Sequence, residues 1–142
     1  MVAKQLSVFI ENRQGRLGEV LNVLKTNGVN ILSLSLADTT EYGLLRLIVS
    51  NPELGKTKLA EDGFSTMLTD VLVLKINHQA GSLQGLLKIL SDNDINIEYM
   101  YGLSIDGDEA SVVLKASNLA KAEQVLVENG VKTLSSDDIS AL

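Results

Sequence analysis

Several residue types that build common functional sites are missing or scarce in this sequence of 142 residues. It contains no cysteine, no tryptophan, one histidine and one proline. The lack of cysteine excludes disulfides, thiolate catalysis, cysteine-ligated zinc and iron–sulfur clusters. A single histidine excludes a metal site built on two histidine ligands within one chain. No carboxylate pair, Ser/His/Asp set or metal-binding cluster is visible in the sequence either, so we expect no metal, no cofactor and no catalytic residues.

Positive charge and long hydrophobic runs are also lacking. Twelve Lys and Arg residues stand against eighteen Asp and Glu residues, which gives a formal net charge of −6. An acidic protein lacks the basic face that duplex nucleic acid and anionic membranes attract, so we expect neither partner. No apolar run approaches the ~18 residues of a membrane span, and the N-terminal residues do not resemble a signal sequence. These features predict a cytoplasmic protein.

The sequence repeats itself with an offset of about 66 residues, which becomes one residue longer past the middle. Apolar residues recur at the same places in both halves, and one inserted loop residue explains the change of offset. Matched pairs include Gly15 and Gly81, Leu17 and Leu83, Asn30 and Asn96, and Gly63 and Gly130.

Each half predicts the same order of elements. In the first half, Leu6, Val8 and Ile10 alternate with other residues at the period of a half-buried strand, and an apolar helical face follows. Separate strands are predicted near 65–68 and over 71–76, at the junction of the halves. The order βαββαβ, twice, predicts an α+β protein of two ferredoxin-like repeats, with antiparallel sheets and the helices on one face. We expect domains over 1–69 and 70–142.

The turn between the first strand and first helix of each half is the segment best suited to bind a ligand. A glycine there lets the backbone approach a ligand closely. The N–H groups of the first helical turn are unpaired and carry partial positive charge, which suits a carboxylate. The alternative is structural: the glycine only turns the chain, and the leucine two residues later enters the core.

The pattern Asn-Arg-x-Gly-x-Leu at Asn12–Leu17, followed by Gly28–Ile31, resembles the ACT domain. It is most similar to the serine-sensing regulatory domain of phosphoglycerate dehydrogenase, and the resemblance covers both halves. It implies a tandem ACT-like protein that binds a small amino acid between ACT units, through this loop and the start of the second strand. In the first half it implies ligand-binding residues Asn12, Arg13, Gln14, Gly15, Arg16, Leu17, Asn30 and Ile31. In the second half it implies His78, Gln79, Ala80, Gly81, Ser82, Leu83, Asn96 and Ile97.

The two implied sites differ in chemistry. His78 stands where the first half has Asn12, and Ser82 stands where it has Arg16. A guanidinium beside the ligand carboxylate strengthens hydrogen bonding, so the first half is expected to bind more tightly.

Two other features point to partners. Alternation along the second half places Tyr99 and Tyr101, together with Ile97 and Leu103, on the sheet face away from the helices, which is typical of a partner surface. This face and the edge strands left over when only two four-stranded sheets exist predict a homodimer, and an enzyme of amino-acid metabolism is a further expected partner.

The sequence thus predicts a non-catalytic regulatory or sensor protein. One alternative is an interaction or oligomerisation module whose sites hold no ligand. A further alternative, an acylphosphatase-like enzyme, rests on Arg13 and Arg16, and the matching loop of the second half has no arginine.

Overall fold

The computed structural model describes residues 2–38, 41–77, 79–106 and 109–141, without the side chains of residues 38, 105 and 106. The chain divides into two compact units, one of Lys4–Thr69 and the other of Asp70–Leu142 together with Met1–Ala3. The domain boundaries 1–69 and 70–142 remain a proposal, since compactness does not show that either part folds alone.

The first unit has the predicted βαββαβ order. Its strands lie in the order β2-β3-β1-β4, and β3 is antiparallel to both neighbours. Its elements are β1 (Ala3–Glu11), α1 (Arg16–Thr26), β2 (Ile31–Asp38), β3 (Tyr42–Val49), α2 (Pro52–Glu61) and the first part of β4 (Ser65–Asn77).

The core of the first unit lies between the sheet and its two helices. Alternate residues of β1, namely Leu6, Val8 and Ile10, pack with Leu24 of α1 and Leu59 of α2. Both helices therefore cover one face of the sheet. Pro52 begins α2, where its fixed φ suits the first helical turn, and the Asn51 side chain caps that helix by accepting from the Leu54 N–H at 3.2 Å.

The second unit repeats this order and ends with an additional short helix. Its strands lie in the order β5-β6-β4-β7. Its further elements are α3 (Ser82–Asp92), β5 (Ile97–Asp106), β6 (Glu109–Ala116), α4 (Leu119–Glu128), β7 (Lys132–Leu134) and α5 (Ser136–Ser140). Leu72 and Leu74 of β4 pack with Leu86, Leu90 and Leu126 from its helices. The predicted α+β fold, with antiparallel sheets and helices on one face, is confirmed.

The prediction of two separate strands at the junction of the halves is wrong. Residues 65–68 and 71–76 belong to one continuous strand, β4, which runs from Ser65 to Asn77. The segment between the two predicted strands contains no glycine or proline to interrupt an extended backbone.

The expected position of Ile97 is also wrong. A register shift between Ile97 and Tyr99 marks a bulge in β5, which interrupts the alternation of side chains. Ile97 therefore packs against the helix-covered core and not beside the tyrosines. The rings of Tyr99 and Tyr101 stack with their centroids 6.5 Å apart. A matching register shift follows Ile31, which packs against the first core.

Candidate functional site

The predicted binding loops adopt the same conformation in both units. Gly15 precedes α1 with φ of 89°, and Gly81 precedes α3 with φ of 87°. This left-handed conformation favours glycine. Neither helix has a side-chain cap at its N-terminus. The first-turn N–H groups thus need acceptors from elsewhere, as the sequence pattern suggested.

Part of each loop is already hydrogen-bonded within itself. The Arg16 N–H donates to the Arg13 carbonyl at 3.4 Å, and the Ser82 N–H donates to the Gln79 carbonyl at 3.2 Å. In the first unit, the Asn12 N–H donates to the Glu41 carbonyl at 3.0 Å. The loop is thereby held beside the residue that precedes β3.

The other predicted residues lie at the far end of the sheet. The Asn30 N–H donates to Ser50 Oγ at 2.9 Å, and its carbonyl accepts from the Ser50 N–H at 2.9 Å. Asn96 makes the same pair of contacts with Ser117. Since Ile10 pairs with Gly43 and Ile31 with Val49, the two ends are about 20 Å apart along β3. Within one unit, the structure does not bring the loop and the asparagine together.

The charged side chains of the first loop are engaged elsewhere. Arg13 pairs with Glu11 at 3.1 Å, and both side chains are exposed. The Arg16 guanidinium pairs with Glu19 at 2.6 Å and lies 4.3 Å from the centroid of the Phe64 ring. The guanidinium expected beside the ligand carboxylate thus has an ion pair and a ring contact of its own, and tighter binding in the first half stays a prediction. Asn12, Gln14 and Gly15 are exposed, and Leu17 packs against the core.

The second loop lies beside open space. Ser82 and Val131 replace Arg16 and Phe64, and a groove of ≈380 Å³ is found there, lined in part by Ser82, Leu86 and Val131. Gln79, Ala80 and Gly81 are exposed, and Leu83 is 41% exposed. His78 lies outside the described residues.

A larger groove of ≈540 Å³ lies on the other side of this loop. Its lining includes the loop residues Asn77, Gln79 and Leu83, and it continues along the end of β5 and the beginning of β6. Gly102, Ser104 and Ala110 line this second part. The groove therefore joins a predicted binding loop to strand residues that the sequence motif did not include.

These strand residues were missed because their distinctive property is a small side chain. Gly102 stands where the first half has Leu36, and Ala110 stands where it has Gly43. Aligning the two halves does place Gly102 opposite Leu36. The motif was built from residues that match between the halves, so this difference was not part of it. In the first unit, a pocket of ≈380 Å³ lies at the other end of the sheet and is lined in part by Asn30 and Ile31.

In the ranges that the structure describes, no group of three or more His, Cys, Asp or Glu residues is arranged to hold a metal ion. No described helix has the length and apolar character needed to cross a membrane.

Comparisons with known proteins identify similar chains. A family model described as "ACT domain pair" matches residues 1–142. A crystal structure of a protein from Bacteroides thetaiotaomicron is 39% identical, with a TM-score of 0.95, and the match covers 100% of this chain and 98% of that one. No curated protein gives a significant match.

More distant structures share the fold. The regulatory subunit of aspartate kinase from Thermus thermophilus, in a ligand-free form, has a TM-score of 0.62 at 15% identity, over 88% of this chain and 91% of that one. Aspartate kinase from Clostridium acetobutylicum, described as an allosteric enzyme, has a TM-score of 0.53 at 12% identity. That match covers 88% of this chain and 32% of the enzyme.

Proposed function

Because the chain belongs to the ACT domain pair family, we propose that it is a non-catalytic, cytoplasmic regulatory protein that binds a small amino acid between ACT units. The observation that carries this proposal is the ≈540 Å³ groove beside the loop of the second unit. Its volume is in the range of small-molecule sites. A few polar residues, among them Asn77, Gln79 and Ser104, interrupt an otherwise apolar lining.

The loop supplies groups suited to the two charges of a free amino acid. The uncapped first turn of α3 offers backbone N–H groups and the positive end of the helix dipole to a carboxylate. The side-chain oxygens of Asn77, Gln79 and Ser104 are acceptors for an ammonium group. A zwitterion therefore has partners of both kinds at this one groove.

The predicted residues Asn30 and Asn96 are part of the proposal as residues that a second ACT unit contributes. Since the loop and the asparagine of one unit lie at opposite ends of its sheet, a site that uses both takes the loop from one ACT unit and Asn30 or Asn96 from another. We therefore keep the residues implied by the ACT resemblance as a proposed site between units. The particular similarity to the serine-sensing domain makes serine one ligand to test.

A thermal-shift screen of the twenty amino acids, followed by calorimetry on any that respond, tests this function. A ligand at about 100 times its Kd stabilises the folded chain by about 2.7 kcal/mol. For a protein of this size, each kcal/mol raises Tm by roughly 2–4 °C. We expect a shift of several degrees with at least one amino acid. Absence of both shift and heat with all twenty at millimolar concentration would exclude the amino-acid sensor.

Exposed leucines favour the second candidate, an interaction or oligomerisation module. Leu34 and Leu36 of the edge strand β2 are 44% and 45% exposed. Edge strands with exposed apolar side chains are suited to pairing with another chain. We propose that this strand contributes to a homodimer, and that an enzyme of amino-acid metabolism is a further partner.

Light scattering tests the dimer. The unmodified protein is expected to have the mass of a dimer at micromolar concentration, and Leu34→Glu is expected to lower it towards a monomer. The matched control is Val127→Glu, which changes an equally exposed apolar residue of α4. If the unmodified protein is a monomer, the proposed homodimer is wrong. If it is a dimer that Leu34→Glu does not dissociate, the interface does not include β2.

A further inference from the structure

The two units differ at one strand position that lies beside the larger groove of the second unit. In the first unit, Leu36 lies opposite Leu45 in the ladder between β2 and β3, and in the second unit Gly102 lies opposite Val112. Both pairs occupy the same place in the repeated fold. The second unit therefore lacks a leucine side chain at a point where the first unit has one.

Contacts in the first unit show what this leucine does. A β-carbon placed on Gly43 would lie 3.3 Å from Leu36 Cδ1 and 3.2 Å from Ile10 Cγ1. The Leu36 side chain thus packs over Gly43, beside Ile10. Leu17, in the first turn of α1, is partly buried and packs against the same core.

The matching region of the second unit is open. A β-carbon placed on Gly102 would have no other atom within 4 Å. Leu83, the counterpart of Leu17, is 41% exposed. The ≈540 Å³ groove lies here, with Ile76, Leu83, Ala110 and Val112 among its apolar lining. Ala110, one of these lining residues, is the counterpart of Gly43, over which Leu36 packs in the first unit.

We propose that this groove receives the branched aliphatic side chain of a free amino acid, so that the ligand fills in the second unit the place that Leu36 fills in the first. The inference rests on the proposed function and specifies its ligand class and its unit. The lining is mainly aliphatic, with Ser104 and Ser111 as its hydroxyl groups, and it favours such a side chain because a buried charge would lose its hydrogen bonds to water there. The polar residues at the loop end of the groove, Asn77 and Gln79, are then left for the ammonium and carboxylate groups.

Filling the groove by mutation tests this assignment directly. Gly102→Leu restores the leucine that the first unit has at this position, and a β-carbon added to Gly102 meets no other atom within 4 Å. The matched control is Gly18→Leu, which adds the same side chain at another glycine whose β-carbon has open space. Calorimetric titrations use L-leucine, L-isoleucine and L-valine, with L-serine and glycine for comparison, and circular dichroism verifies that each variant is folded.

We expect the branched aliphatic amino acids to bind the unmodified protein more tightly than serine or glycine. Gly102→Leu should raise their Kd by at least about tenfold, as expected when a hydrophobic pocket loses the volume its ligand needs. Gly18→Leu should leave Kd within about twofold, since it lies outside this groove.

Several results would overturn the inference. If an amino acid binds and Gly102→Leu does not weaken it, the proposed function stands and this site is wrong. If serine or glycine binds best, the ligand class is wrong. If the twenty amino acids give no binding, the proposed function fails and this inference fails with it. If Gly102→Leu alone abolishes a homodimer and no amino acid competes, a second copy of the chain occupies the groove.

Discussion

The guanidinium carbon of Arg16 lies 4.3 Å from the centroid of the Phe64 ring, and the same guanidinium pairs with Glu19 at 2.6 Å. The Arg16 side chain is only 17% exposed. It therefore connects the first turn of α1 to the segment that precedes β4. The motif that led us to assign Arg16 to a ligand contains a residue with a structural contact of its own.

Replacing Arg16 by serine, its counterpart in the second unit, is expected to lower the stability of the protein. Loss of the cation–π contact should cost about 0.5–1 kcal/mol of unfolding free energy, which urea denaturation measures. Glu19→Gln is the control, because it removes the partly exposed ion pair and keeps Arg16 over Phe64. If Arg16→Ser leaves stability unchanged and weakens amino-acid binding, Arg16 is a ligand residue after all.

Two helix glycines are expected to respond oppositely to alanine. A β-carbon on Gly55 would lie 3.1 Å from Leu6 Cδ2 and 3.2 Å from Leu24 Cδ2, whereas a β-carbon on Gly18 meets no other atom within 4 Å. Gly18→Ala should raise the unfolding free energy by about 0.5–1 kcal/mol, the usual gain from removing a helical glycine.

Gly55→Ala should instead lower the unfolding free energy by about 1 kcal/mol, because overpacking the core outweighs the better helix propensity. Both values come from urea denaturation of the two single variants. A stabilising Gly55→Ala would show that α2 moves away from Leu6 and Leu24 at little cost.

The C-terminal helix α5 carries a pH-dependent cap. The Ser135 N–H donates to Asp138 Oδ2 at 2.9 Å, and the Asp138 N–H donates to Ser135 Oγ at 3.1 Å. Hydrogen bonds from the Ser135 backbone N–H, and next from its hydroxyl group, to the Asp138 carboxylate hold the pKa of Asp138 below its ordinary value of 3.8. A lowered folded-state pKa means that this stabilisation is present above the ordinary value and is lost as pH falls through the folded-state pKa.

Asp138→Asn should therefore reduce the loss of Tm between about pH 5 and pH 2, when each variant is compared with its own value at neutral pH. Asp137→Asn, in the same helical turn, is the control for the removal of one carboxylate from α5. Equal slopes for all three proteins would show that the cap does not contribute to acid sensitivity.

Much of the fold was predictable because both halves carry the same local signals. Asn51 and Asn118 directly precede the second helix of each unit and cap it with their side chains. The Asn27 and Asn93 side chains donate to carbonyls in the last turn of α1 and α3 at 2.8 Å each. Repeated asparagines at these places therefore reflect helix ends and not a binding site.

The errors have physical causes that pattern reading does not capture. Strict alternation of side chains along β5 predicted Ile97 on the same sheet face as Tyr99 and Tyr101. The bulge at the start of β5 interrupts that alternation, so the Ile97 side chain faces the core instead. The helix α5 was missed although Ser135 and Asp138 have the spacing of a capping box. No sequence motif marks the larger groove, because Gly102 helps to form it by having no side chain.

The last prediction concerns the polar end of the groove. Gln79 lines it, and its counterpart Arg13 pairs with Glu11 at 3.1 Å in exposed surroundings. If the amino-acid ligand places its charged groups at this loop, Gln79→Ala should cost about 1 kcal/mol of binding free energy, or roughly fivefold in Kd.

Arg13→Ala makes the matching change in the first unit and tests the rival assignment of the ligand to that loop, and loss of its exposed ion pair alone costs little. It should leave Kd unchanged in the same calorimetric titration. A larger effect from Arg13→Ala than from Gln79→Ala would return the binding site to the first unit, as the sequence motif suggested. Equal effects would indicate that the loops of both units contact the ligand.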